Sequence, residues 1–281
     1  MVLGAIVLTL VVGTGSRLQR EFRGASGRLA GAAALRDAAT ILPLDLRAIS
    51  SEGGDIRPGE ARDTSLEIRA TVATAIVCPA NDGALLLAPA LGARGRPSAA
   101  LIEIGDTLWL LRDGDEGERW SPAQVAGVRR MAGGCGAFGG GASSDITGPF
   151  DVAHLFAVDL AGGAAAAGLP ALAGTPARAT RRVRYSFYRA SDGAWYLGLR
   201  TWNATAGHFN QIQPVSGPYI SPTSGAVGFT YFDHAGAPVV DGEANTRRIA
   251  RIEVRLRTPS ADTGERVDDA VHLVVALRNR T

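Results

Sequence analysis

Apolar positions crowd the start of the chain. Residues 1–12, MVLGAIVLTLVV, are apolar except for Gly4 and Thr9, and no charge stands before Arg17. Beyond them Leu18, Phe22, Ala25, Leu29, Ala32, Ala33, Leu35 and Ala39 recur at spacings of three or four, with Arg17, Arg20, Arg23, Arg28, Arg36 and Asp37 filling much of the remainder. That spacing places the apolar residues along one side of a helix, and alanine favours helix more than any other residue. The pattern predicts a helix from residue 1 to about 42, ended or bent at Pro43, and about 63 Å long at ~1.5 Å per residue. A domain of this size cannot bury such a helix along its whole length. One half therefore requires another partner, either a bilayer or copies of similar helices. The apolar run alone falls about eight residues short of the ~20 that span a bilayer. A signal-peptide core is the other reading of the run, although no basic residue precedes it and no A-x-A site follows.

The remainder alternates rather than recurring at helical spacing. Residues 50–64, SSEGGDIRPGEARDT, are polar with Gly-Gly and Pro-Gly steps, and read as a linker. Strands are expected at 66–77, 125–131 and 152–160, with two short ones in 101–111 around Gly105-Asp106. The Pro/Gly/Ala-rich residues 79–98, with their Asn81-Asp82-Gly83 turn, and the glycine-rich stretch 132–149 read as loops. Residues 161–180 read as a low-complexity loop. The last hundred residues are clearer. RRVRYSFYR (181–189) and WYLGLRTW (195–202) flank Ser191-Asp192-Gly193 and predict a hairpin. A strand beginning near residue 227 runs into a turn at His234-Ala235-Gly236. In 249–257, Ile252, Val254 and Leu256 alternate with charged neighbours, and in 271–280 Val271, Leu273, Val275 and Leu277 share one face. The organisation expected is a helix over 1–49, a linker over 50–64 and a β-rich domain over 65–281. In class this is α+β: a long N-terminal helix packed on an antiparallel β-rich head, with its 29–46 stretch covering a sheet built from the hairpins 181–202 and 249–280.

Composition narrows the chemistry. At 46% hydrophobic and 20% charged, the 281 residues carry enough apolar material for a core, which excludes wholesale disorder. A net charge of +2 gives no electrostatic reason to expect nucleic acid as a partner. All 29 basic residues are arginine, so Schiff-base chemistry and a lysine-bearing phosphate loop are excluded. The four histidines are scattered, and the two cysteines, Cys78 and Cys135, form no CxxC pair, so neither a zinc site nor another metal centre is expected. GGCGAFGGG is followed by no Lys-Ser/Thr, and reads as a loop. Asp113, Asp115 and Glu116 lack the rest of a calcium-loop pattern, and Asp233-His234 and Asp268-Asp269 read as turns. No nucleophile elbow exists. No catalytic residue, cofactor or metal is assigned, and no enzymatic activity is expected. Trp109, Trp195, Trp202, Tyr185 and Tyr231 read as core or cross-strand packing positions on strands; the alternative reading, for the outward ones alone, is a carbohydrate- or protein-binding platform.

An apolar half followed by an amphipathic half in one N-terminal helix resembles the subunits of type IV pilin-like systems. Gly228-Phe229-Thr230-Tyr231-Phe232-Asp233-His234-Ala235-Gly236, the alternating strand after it and the terminal Val-x-Leu-Arg-Asn-Arg stretch resemble minor pseudopilins of the J/W type. The similarity covers the helix and the last quarter of the chain. In that family a basic leader and a Gly-Phe-Thr-Leu-x-Glu processing motif precede the apolar stretch; here neither does, and the simplest account is a start called at an internal methionine. The resemblance implies a single-pass inner-membrane subunit with its head in the periplasm or outside the cell. Such a subunit passes into a type IV pilus or a type II secretion pseudopilus, which it primes or caps. Val2, Leu3, Ile6, Val7, Leu10 and Val11 would form the membrane and filament interface. The implied partners are other pilin or pseudopilin subunits, membrane lipid and the inner-membrane assembly platform. An extracytoplasmic head also implies an oxidising compartment, in which Cys78 and Cys135 either form a disulfide or pack as two separate thiols. The rival reading is a signal-anchored extracytoplasmic β-sandwich that binds a partner without polymerising.

Overall fold

The computed structural model describes residues 2–51, 53–78, 85–90, 101–112, 119–132, 135, 154–163, 173–240, 242, 244–259 and 269–277; within these, nothing is stated of the side chains of residues 2–18, 20 and 23. The turn at residues 81–83, the carboxylates Asp113, Asp115 and Glu116, Asp268, and the glycine-rich run apart from Cys135 and the strand end at 132 lie outside the described residues.

The chain divides into two units, one made of residues 1–67, 184–200 and 212–281, the other of 68–183 and 201–211. The expected linker contains a strand, β1 (Ile56–Ala61), and the residues expected to form one head fall in both units.

The second unit is a closed barrel. β2 (Ser65–Cys78) pairs with β3 (Leu85–Pro89), which pairs with β6 (His154–Leu160). β6 pairs with β5 (Arg119–Ala132), β5 with β4 (Thr107–Arg112), and β4 with β7 (Pro176–Arg189), every pair antiparallel. β7 then pairs with β2 and completes the ring; there Val77 N donates to Thr175 O at 3.0 Å and Gly174 N to Val77 O at 2.7 Å. Between β3 and β6 the chain makes the β4–β5–β6 meander, a Greek-key path. Alternate residues point inward, as the two-residue period of a strand requires. Leu85 and Leu87, Leu108 and Leu110, and Phe156, Val158 and Leu160 are buried there against Ala73, Ala75, Ala177 and Ala179. Alanines on the adjacent strands β2 and β7 thus face leucines and a phenylalanine, the small-to-large matching that lets side chains fill a small barrel. Residues expected as Pro/Gly/Ala loop supply two of these strands, β3 and the start of β7. The expected pair of strands in 101–111 is a single one, β4. Outside the barrel wall, Cys78 is bonded to Cys135 across 57 residues of sequence, with Cα atoms 5.3 Å apart.

The first unit holds the helix α1 (Val2–Arg47) and a four-stranded antiparallel sheet, in the order β12 (Pro238–Val239), β11 (Gly228–Phe232), β13 (Arg251–Arg257), β14 (Ala270–Ala276). Ile252, Val254 and Leu256 are buried, as their alternation requires. In the same unit, residues 195–200 of β8 (Trp195–Asn203) pair with β10 (Gln213–Tyr219). The β1 segment is riveted to this unit by Thr246 Oγ1, which donates to Ile56 O at 2.8 Å, and by Tyr231 Oη, which donates to Arg62 O at 2.7 Å. Glu67, fully buried, is held by Arg184 Nη2 at 2.6 Å and Arg57 Nε at 3.4 Å.

Two expectations are corrected. The fold is not α+β with a helix laid on a β-rich head: it is mostly β, with a large antiparallel sheet. Segments that looked irregular are strands, and β structure therefore outweighs the helix. Nor do 181–202 and 249–280 form one sheet, because β13 and β14 join β11 and β12 instead. Hairpins carry their own internal register, but nothing local dictates which neighbour their outer edges take.

Replacing Cys78 and Cys135 together by serine should cost about 4 kcal/mol, the loop-closure value for a cross-link of this span. A urea titration followed by amide hydrogen exchange checks this. Protection should fall most in β2, β3 and β6.

Candidate functional site

The helix carries the residues assigned from sequence to an interface. It runs unbroken from Val2 to Arg47 with Pro43 inside it, one turn past the expected end. Val2, Leu3, Ile6, Val7, Leu10 and Val11 occupy its first three turns, and their side chains lie outside the description. Among the described residues no helix is long and apolar enough to cross a membrane.

The seat of the helix in its own unit is formed by Ala34, Leu35, Ala38, Leu42 and Leu46, followed by Ile49, all buried. It rests on β10, β13 and β14. Gly31 belongs to the same face: a Cβ there would lie 3.2 Å from Thr258 Oγ1, so a glycine lets the helix approach the end of β13 closely. Fully burying Leu42 or Leu46 contributes roughly 1.5–3 kcal/mol each.

Two tyrosines fasten the helix. The Tyr185 hydroxyl donates to the Asp45 carboxylate. The Tyr219 hydroxyl lies 2.7 Å from Ser216 Oγ and 3.3 Å from Ala34 O. Phe187 packs edge-on to Tyr219 at 6.3 Å and tilted against Phe229 at 5.4 Å. Burial pushes both phenol pKa values up. Tyr185 is raised further by the Asp45 charge, and Tyr219 reaches about 12.

At ~100° per residue, Phe22, Leu29 and Leu44 fall on the side of the helix opposite this seat. They are 74%, 74% and 69% exposed. Of the apolar set identified from spacing, Phe22, Ala25, Leu29, Ala32 and Ala33 are exposed, Ala39 is half-buried and Leu35 is seated, and the side chain of Leu18 lies outside the described residues. Sequence reasoning missed the second face because alanine and glycine make up half of it.

Of the remaining sequence candidates, Asp233, Trp109, Trp195 and Tyr231 have places within the fold. Asp233 accepts from Ala235 N, Ala237 N and Arg248 Nη2 in a tight turn, and the Arg248 contact lowers its pKa. Trp109 Nε1 donates to Thr180 Oγ1 at 3.0 Å in the barrel unit. Trp195 stands opposite Tyr219 in the β8–β10 register, and Tyr231 is buried.

No protein-family model matches the sequence, and no curated protein and no solved structure matches it.

Leu42→Ala should destabilise the chain by about 2–5 kcal/mol, whereas Leu44→Ala, on the open face, should stay within ~0.5 kcal/mol; chemical denaturation distinguishes them. The two tyrosines predict a pH dependence. Both are harder to ionise folded than unfolded, so their contribution is complete below the unfolded tyrosine pKa of ~10 and is lost as pH rises beyond it. Melting temperature should therefore fall from about pH 10 upward, and less steeply in Tyr219→Phe.

Proposed function

We propose that this chain is a subunit of a helical filament of the type IV pilus or type II secretion pseudopilus kind, assembled through α1. The observation that carries the reading is the two-sided helix. One face is seated in its own unit, while Phe22, Leu29 and Leu44 stand open on the other. Large apolar side chains exposed in a row mark surfaces that another molecule covers. The sequence N-terminal to this row is apolar and holds Val2, Leu3, Ile6, Val7, Leu10 and Val11, and an apolar helix start of this kind suits packing against like helices. The resemblance of the helix and the last quarter of the chain to J/W-type minor pseudopilins supports the same reading and suggests a priming or capping position. Before assembly the apolar turns rest in inner-membrane lipid beside the assembly platform, with the β units outside the cytoplasm. The role is assembly, without catalysis.

A photo-cross-linking residue placed at Phe22 or Leu29, in cells expressing the filament system, tests this. Adducts should join the chain to the N-terminal helices of other subunits, and Phe22→Glu with Leu29→Glu should abolish incorporation while leaving the urea midpoint within ~0.5 kcal/mol of wild type. Unchanged incorporation of the double variant, or adducts only to unrelated soluble proteins, would sink the reading.

A further inference from the structure

The barrel unit contains a cleft of about 430 Å³ to which the filament reading assigns no role. One wall is residues 102–106. Arg181, on β7, holds it in place: Nε and Nη2 make a fork on the two Asp106 oxygens at 2.8 Å each, Nη2 also donates to Leu101 O at 2.6 Å, and Nη1 lies 3.1 Å from Glu103 Oε2. A forked arginine of this kind fixes position as well as charge. Gly105 has φ +89°, and a Cβ there would lie 2.0 Å from the Ala204 Cβ, so only glycine lets the two walls meet.

The opposite wall is the hairpin of β8 with β9 (His208–Phe209), where Trp202 pairs with Phe209 and Asn203 with His208. The Arg182 guanidinium stacks over Trp202 at 4.0 Å and lies 4.9 Å from the Phe209 ring, and the two rings meet edge-on at 5.1 Å. Asn210 Nδ2 donates to Thr201 Oγ1 at 3.0 Å, and Asn203 Oδ1 accepts from Ala206 N at 2.9 Å. These bonds fix both amide planes, and Asn203 Nδ2 donates to Asn210 Oδ1 over a long 3.5 Å. The Thr205 hydroxyl and the largely exposed Glu103 carboxylate complete the polar lining.

Three properties define the ligand class. The volume lies in the ~300–1,000 Å³ range of small-molecule sites. Two carboxylates and two guanidinium groups balance, so the cleft has no net charge with which to favour an anion or a cation. The polar groups are fixed planar amides, a carboxylate and a hydroxyl beside an indole, offering donors and acceptors side by side. Vicinal hydroxyls both donate and accept at that spacing, and a sugar ring presents apolar C–H edges to an aromatic neighbour. We infer that this cleft is a binding site for a neutral carbohydrate. The inference is independent of the filament reading.

The full chain, with its disulfide intact, is screened on a broad array of neutral glycans, and the hits are titrated by saturation-transfer NMR and tryptophan fluorescence. Inorganic phosphate and citrate serve as anionic probes. Saturable binding of at least one neutral glycan is expected, weakened about tenfold by Asn210→Ala, the value of one good hydrogen bond, and abolished by Thr205→Trp, which fills the cleft. Both positions are exposed, and unchanged melting of the variants shows that they fold. The inference is overturned if no neutral glycan binds, if binding survives Thr205→Trp, or if phosphate or citrate binds in preference.

Discussion

The pairing of β2 with β7 is the constraint on which the barrel unit depends. A sheet with two free edges exposes unpaired N–H and C=O groups that invite another chain, and closure removes them. Closure also fixes which residues face inward, because a slip of one residue would turn Ala73, Ala75, Ala177 and Ala179 outward. The alanines are what allow these neighbouring strands to sit opposite Leu85, Leu87, Phe156 and Val158 without overfilling the interior. Larger residues at Ala75 or Ala177 would force the ring open at the seam that completes it.

The helix follows a different logic. Its seat is small-residue packing, Gly31, Ala34 and Ala38, with Leu42 and Leu46 as anchors. Small residues bring backbones close and leave few side-chain contacts to hold them, and the two tyrosines supply direction where packing does not. Tyr185 reaches Asp45 and Tyr219 reaches the Ala34 carbonyl, points three turns apart along the helix. Axial sliding of the helix would break both contacts at once. A fixed register along the axis is what a helix needs if its other face is to present Phe22 and Leu29 at defined heights.

Legibility in the sequence tracked contrast between neighbouring residues. The strand with Ile252, Val254 and Leu256 between arginines and a glutamate was readable, as was the hairpin around Ser191-Asp192-Gly193. β1 was not, because Pro58-Gly59 inside it is turn chemistry, and Gly59 does take φ +78° within the strand. β3 was obscured by the proline, glycine and alanine on either side of Leu85–Leu87. Barrel closure has no local signature, since alternation names the inward face of a strand and not its partner. On the helix the largest side chains drew attention to the wrong face: Phe22 and Leu29 stand out, whereas the seated face begins with glycine and alanine. Of the cleft, Trp202 alone stood out in the sequence; Glu103, Asn203 and Asn210 are distant or unremarkable there and are brought together by the Arg181 fork and the Gly105–Ala204 contact.

The cystine at Cys78–Cys135 also bears on what happens under tension. Any load that unravels the barrel unit must draw out the polypeptide between its points of attachment, and the cross-link withholds 57 residues from that extension. At ~3.5 Å per residue this is roughly 200 Å of contour length that cannot be paid out. The β3, β4 and β5 strands all lie within the withheld span. A pulled chain would therefore stiffen early and recoil around a preserved remnant, a mechanical stop set by one covalent bond.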